Sequence, residues 1–149
     1  MMHKRSRKPA RRGATASGLV FSFLETAEAV EARLEAAVNP LGLSLAKLAV
    51  LHFLADAKEP LPLSALAERQ HCVRSNITQL VDRLEKDGLV RRRADSNDRR
   101  SVRAALTAAG TRAHAEGMDA LRQVQRAIMG PLNAGDAESL RAALKALGS

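Results

Sequence analysis

The side chains between Arg74 and Gln79 carry the chemistry to consider first. Arg74, Ser75, Asn76, Thr78 and Gln79 are donors and acceptors of the kinds that hydrogen-bond base edges and phosphates. Arg83 and Lys86 follow as cations suited to a phosphate backbone, and Asp82 stands before them as a carboxylate that phosphates repel. Base contact is therefore expected to stop at Asp82, with Arg83 and Lys86 turned toward the backbone. A second group follows as Arg91, Arg92, Arg93, Arg99, Arg100 and Arg103, interrupted by Asp95 and Asp98. Asp98 and Arg100 are two residues apart, which in extended backbone puts both side chains on one face. Asp98 is then expected to hold the Arg100 guanidinium by a paired hydrogen bond and to aim it into a narrow minor groove. Arg91, Arg92, Arg93 and Arg103 either contact phosphates or form solvated strand faces, and contact is expected for some of them.

The elements that must position these groups follow from the apolar pattern. Ile77, Leu80, Val81 and Leu84 form an i, i+3, i+4, i+7 stripe, which predicts a helix from about Arg74 to Asp87 with that stripe toward the core. Its outward face is then Ser75, Thr78, Gln79, Asp82 and Lys86, flanked by Asn76 and Arg83, and Gly88 provides the stop. A shorter helix over about Leu63 to Gln70, packing through Leu63, Leu66 and Ala67, precedes it across the turn His71-Cys72-Val73. Two short helices with a tight turn, the second presenting small polar side chains, match a helix-turn-helix whose second helix enters the major groove. Taken alone, that polar face is better read as the wet side of an ordinary surface helix. Leu89 to Arg93 and Ser101 to Leu106 have strand character and are joined by the turn-forming run Ala94 to Asp98, so a β-hairpin stands beside it.

Helices are expected on both sides of this head. Val20, Phe23, Leu24, Ala27, Val30, Leu34 and Val38 recur at helical spacing from Gly18 to Val38, where Asn39-Pro40 ends the helix. Ser44 caps a second helix running through Leu45, Leu48, Leu51 and Leu54 to Ala57, and Lys58-Glu59-Pro60 breaks the chain. Thr107 caps a long helix that continues until Gly130-Pro131. Asn133 and Asp136 resemble a capping box for a last helix with Leu140, Leu144 and Leu147 on one face.

At 149 residues the chain is expected to form one domain, and a core of Leu, Ala and Val with only Phe21, Phe23 and Phe53 as aromatics favours helices. The net charge of +8 is unevenly held: Lys4, Arg5, Arg7, Lys8, Arg11 and Arg12 lie in the first twelve residues, the hairpin carries a further positive surplus, and the remainder is slightly acidic. Residues 1–17 lack apolar residues to pack and are expected to be a disordered basic tail, either a phosphate-binding arm or simply solvated. Cys72 is the only cysteine, which excludes an intramolecular disulfide and fits a reducing, cytoplasmic setting. No apolar run reaches membrane-span length, and Glu25 and Glu28 interrupt Leu19 to Leu24 too early for an export signal after Arg11-Arg12.

The run L-x-x-L-A-E-R, the run R-S-x-I-T-x-L-V-D-R-L-E-x-D-G-L-V and the closing D-R-R-x-x-x-x-x-L-T-x-x-G resemble the MarR family of winged-helix transcriptional regulators, from about Leu19 to Leu147. The resemblance implies a mainly α fold with a small β-hairpin wing (α+β). Its winged helix-turn-helix core spans 44–106, and helices over 18–38 and 107–149 pair two copies into a homodimer. It implies an interface with Val20, Phe23, Leu24, Ala27, Leu140, Leu144 and Leu147, and two recognition helices set on successive major grooves of a pseudo-palindromic operator in double-stranded DNA. Arg91, Asp98, Arg99 and Arg100 would then be wing contacts, with Arg100 at the tip. The family further implies a pocket for a small lipophilic or phenolic effector, with Phe23, Arg33, His52 and Phe53 as candidates. Two departures stand out: Val73 occupies the place of a polar cap before the second short helix, and Pro62 that of a Ser or Thr cap before the first.

No nucleophile motif, phosphate-cradling glycine loop or paired carboxylates suggest an enzyme or a cofactor. His52, His71 and His114 with Cys72 lack metal-site spacing, so no metal is expected. The reading is a ligand-released repressor acting as a homodimer. The alternatives are a winged-helix module that binds an acidic protein partner, and a redox-sensing regulator in which Cys72, beside Arg74 and a helix N-terminus, reacts as thiolate.

Overall fold

The computed structural model describes residues 15–70 and 74–148. Helix α1 spans Ala16–Val38, followed by a 3-10 turn over Asn39–Leu41 and helix α2 over Leu45–Ala57. Strand β1 is Leu61–Pro62, α3 is Leu63–Arg69 and α4 is Arg74–Lys86. Strands β2, Val90–Ala94, and β3, Val102–Leu106, lead into α5, Ala108–Met129, and α6, Ala134–Leu147. The three strands form one antiparallel sheet in the order β1-β3-β2. This is a mainly helical α+β architecture in which a hairpin extends from a helical head.

The local signals read from the sequence account for most helix ends. The Ser44 hydroxyl accepts from the Lys47 N–H at 3.1 Å, and the Asn133–Asp136 capping box is complete. Helix α1 begins earlier than expected, because Thr15 Oγ1 accepts from Gly18 N–H and so places Ala16 and Ser17 in the helix rather than in the tail. Residues 1–14, which hold the rest of the expected tail, lie outside the described residues. Pro62 provides no side-chain cap for α3. Instead Pro62 and Leu61 pair with Arg103 and Ala104 as an edge strand, an element absent from the sequence reading. Proline tolerates that position because an edge strand leaves one side without a ladder bond to donate.

The core lies within the head. Leu48, Val50, Leu51 and Leu54 of α2, Leu66 of α3, Ile77, Val81 and Leu84 of α4, Val90 of β2 and Ala104 of β3 are all buried. Of α1 only its last residue, Val38, reaches this core fully, and α6 has no buried residue at all. Helix α5 crosses behind α2, where Gly117 lets it approach: a Cβ there would stand 2.7 Å from Leu48 Cδ1.

The junction between head and α5 is tighter still. Gly88 takes φ +73°, the left-handed turn that ends α4, and its carbonyl accepts the Thr107 hydroxyl at 2.6 Å. The Leu89 carbonyl accepts the Thr107 N–H at 3.1 Å, while Thr107 Oγ1 caps α5 by accepting from Gly110 N–H. Gly110 sits directly against that Leu89 carbonyl, so an added Cβ would overlap its oxygen. Gly110→Ala should therefore cost about 3 kcal/mol of unfolding free energy, since the obstacle is backbone and cannot rotate away. Urea unfolding of the variant measures this, and a midpoint equal to that of the unaltered chain would show that the junction yields.

Candidate nucleic-acid interface

Helix α4 is held in one rotational setting by its buried stripe, Ile77, Val81 and Leu84, with Leu80 partly buried. Asn76, Gln79, Arg83 and Lys86 are consequently exposed, and Thr78 and Asp82 lie half-buried toward the hairpin. Arg74 and Ser75 open the helix, but their side chains are not described. The end of α4 is tied to α2 by Lys47 Nζ, which donates to Asp87 at 2.7 Å and to the Gly42 carbonyl at 3.4 Å.

The hairpin sorts its arginines into two groups. Arg92 pairs with Asp82 and Glu85 of α4. Arg103 donates through Nε to Asp95 at 2.9 Å and through Nη1 to the Pro60 carbonyl at 3.1 Å, tying the loop end of the hairpin to the residue before β1. Both are held by acidic side chains, so neither is an unpaired cation. The Asn97 backbone N–H, and then the Arg103 guanidinium, hold the Asp95 carboxyl below the usual carboxylate range. Among the described residues, Arg83, Arg91, Arg93, Arg99 and Arg100 are exposed and form no ion pair.

The hairpin tip also differs from the sequence expectation. Asp98 does not hold the Arg100 guanidinium; its Oδ1 accepts the Arg100 backbone N–H at 2.9 Å. Residues 98–100 form a turn, so the same-face rule for extended backbone does not apply, and the nearest donor to the carboxylate is the main chain two residues on. Asp95 Oδ1 repeats the device with the Asn97 N–H at 3.0 Å, and Ser101 N–H closes onto the Asp98 carbonyl. Asp98 thus fixes the loop that carries Arg99 and Arg100 and leaves both side chains free.

Residues 43–102 match the family model described as the MarR family. In a curated relative, the HTH-type transcriptional repressor YetL of Bacillus subtilis, 40% of 70 aligned residues are identical, covering 46% of this chain and 42% of that protein. The match thus spans less than half of the relative's length. A probable transcriptional regulator from Pseudomonas aeruginosa aligns at TM-score 0.75 and 28% identity over 87% of this chain and 96% of its own. Over residues 43–102 the chain resembles the MarR family. A cysteine-to-serine mutant of MarR from E. coli, complexed with operator DNA, has the same fold at TM-score 0.77 and 22% identity, over 87% of this chain and 92% of that one.

Other positions read as sites in the sequence are dispersed. His71, Cys72 and Val73 lie outside the described residues, so the redox reading of Cys72 and the cap before α4 do too. Of the expected effector pocket, Phe23 and Arg33 are exposed on α1, whereas Phe53 packs against the core under the Arg69 guanidinium, 5.8 Å from its ring centre. None of Phe23, Arg33, His52 and Phe53 lines the cavity of about 420 Å³ between the end of α2, the sheet and α5. That cavity is walled by Leu54, Ala55 and Leu106 with Lys58, Arg93 and Thr111. Among the described residues no three His, Cys, Asp or Glu side chains converge as metal ligands, and no single helix is long and apolar enough to cross a membrane.

One pairing escaped the sequence because its members are far apart in the chain. His52 Nδ1 of α2 and His114 Nε2 of α5 lie 3.2 Å apart with their rings stacked. Burial, then the nearby His52 and Arg122 charges, lowers the His114 pKa below the ordinary 6.5. A depressed folded-state value means that the unfolded chain takes up the proton first, so the contribution of His114 is fully present above 6.5 and is lost as pH falls through the folded value. His114→Asn is expected to lessen the fall in thermal midpoint between about pH 7 and about pH 5. Parallel melting curves for the two proteins across that window would remove His114 from the acid response.

Proposed function

We propose that this chain is a cytoplasmic, homodimeric, sequence-specific DNA-binding repressor released by a small effector. The observation that carries the reading is the joint surface of Asn76, Gln79, Arg83 and Lys86 on α4 with the unpaired arginines of the hairpin. The first set offers hydrogen bonds for base edges in a major groove, and Arg99 and Arg100 offer cations at the reach of a wing. The repressor name of the B. subtilis relative and the operator in the E. coli structure support the same reading. Nothing in the site calls for catalysis, and the reading is that of a regulator and not an enzyme.

Dimer formation is supported by what the single chain leaves uncovered. Val20, Phe23, Leu24 and Ala27 line one face of α1 and are exposed, as are Leu140, Leu144 and Leu147 of α6. Leu24 stands 50% exposed and Leu147 68%. Apolar faces of this extent on both terminal helices favour burial against a second copy. For the effector, the cavity of about 420 Å³ combines apolar Leu54, Ala55 and Leu106 with Lys58, Arg93 and Glu59, a mixed lining suited to a small lipophilic effector.

Binding to an enriched palindromic duplex should weaken linearly in log affinity against log salt, by about 0.9 per phosphate contact. Arg100→Ala should weaken it sharply without changing the melting temperature, and Gln79→Ala should alter base preference by roughly 1–3 kcal/mol. Selection from random duplexes that yields no preferred sequence, only salt-labile binding to any polyanion, would favour an acidic protein partner instead. By gel filtration the unaltered chain should elute as a dimer and the Leu24→Asp, Leu144→Asp double variant as a monomer. A monomeric unaltered chain would contradict the two-fold arrangement.

A further inference from the structure

Arg92 differs from its neighbours on β2 in where its charge goes. Arg91 and Arg93 are exposed on the outer side of the strand, whereas Arg92, between them, turns under the hairpin onto α4. Its guanidinium pairs with Asp82, lies 3.3 Å from Glu85 Oε1 and donates to the Thr78 carbonyl at 3.4 Å. Its backbone N–H donates to Glu85 Oε2 at 2.9 Å. Thr78, Asp82 and Glu85 are spaced i, i+4, i+7 and form one edge of α4, the edge that faces the hairpin.

That edge is anionic and accessible. The Asp82 and Glu85 side chains are 46% and 41% exposed, and they adjoin Gln79 and Lys86 on the face proposed to meet DNA. At physiological salt a charge acts over about 8 Å, so phosphates seated on that face would feel both carboxylates. The Arg92 side chain is less exposed, at 26%, and its donors are directed inward to α4.

We propose that Arg92 is a positioning residue for DNA binding: it masks Asp82 and Glu85 and holds them against β2, so that the recognition face meets phosphate without repulsion. Arg92 itself contacts no DNA in this account. The inference rests on the DNA-binding reading above. It also revises the role of Asp82, which marks the limit of base reading only when its charge is left bare.

The test compares three full-length proteins on one selected duplex: unaltered, Arg92→Ala, and Arg92→Ala combined with Asp82→Asn and Glu85→Gln. Circular dichroism melts establish that each is folded at the assay temperature. Arg92→Ala is expected to bind roughly ten-fold more weakly at low salt, with the deficit shrinking as salt screens the exposed carboxylates. The triple variant is expected to recover most of the lost affinity, although it still lacks the arginine. A folded triple variant as weak as Arg92→Ala would overturn the proposal, because a direct phosphate contact is not restored by neutralising acids. Unchanged affinity in folded Arg92→Ala would also overturn it. If Arg92→Ala does not fold, the triple variant alone decides: near-normal affinity supports masking, and weak binding refutes it. Failure of the unaltered protein to bind any duplex overturns the DNA-binding reading itself, an outcome distinct from a failed rescue.

Discussion

Everything on the recognition face depends on the burial of Ile77, Val81 and Leu84, each fully removed from solvent against α2, α3 and the sheet. A helix has one free rotation about its axis, and three apolar anchors over two turns remove it. With that angle fixed, Asn76, Gln79, Arg83 and Lys86 must be exposed and Thr78, Asp82 and Glu85 must face the hairpin. The Lys47–Asp87 pair and the left-handed Gly88 then set where the helix ends, and the Thr107 hydrogen bonds pass that position on to α5. The chemistry of the polar face is thus decided by residues that never reach it.

Charge is organised by the same geometry. The hairpin is rich in arginine, but the structure does not use its arginines alike. Alternation along β2 sends Arg92 inward and Arg91 and Arg93 outward, while Arg103 on β3 is held by Asp95 and the Pro60 carbonyl. Arg92 ties β2 to α4 and Arg103 ties β3 to Asp95 and Pro60, while Arg91 and Arg93 remain unpaired. At the tip, Asp98 and Asp95 act on the backbone, so rigidity is given to the loop and freedom is kept for the two arginines it carries.

The terminal helices follow another rule. The head satisfies its apolar stripes internally, yet α1 along most of its length and α6 throughout leave theirs uncovered. Tight packing at Gly117 and Gly110 fixes α5 to the head, and α1 packs against α5 in turn.

Periodicity, proline and glycine stops and capping residues were local signals, and from them the sequence alone determined the helices, the hairpin and the outward face of α4. Ser44, Thr107 and the Asn133–Asp136 box act within their own helix ends, so their effect could be read without knowing what packs where. The tertiary structure decided what depends on distance in space. Leu61–Pro62 is a strand only because β3 lies beside it, and His52 meets His114 only because α5 crosses α2. Arg92 could be told from Arg91 and Arg93 only once α4 supplied its partners. For Asp98 the Arg100 guanidinium and the Arg100 N–H are equally near in sequence, and only the turn's geometry chooses between them. The residue types fixed which charges were present; packing decided which of them remain free.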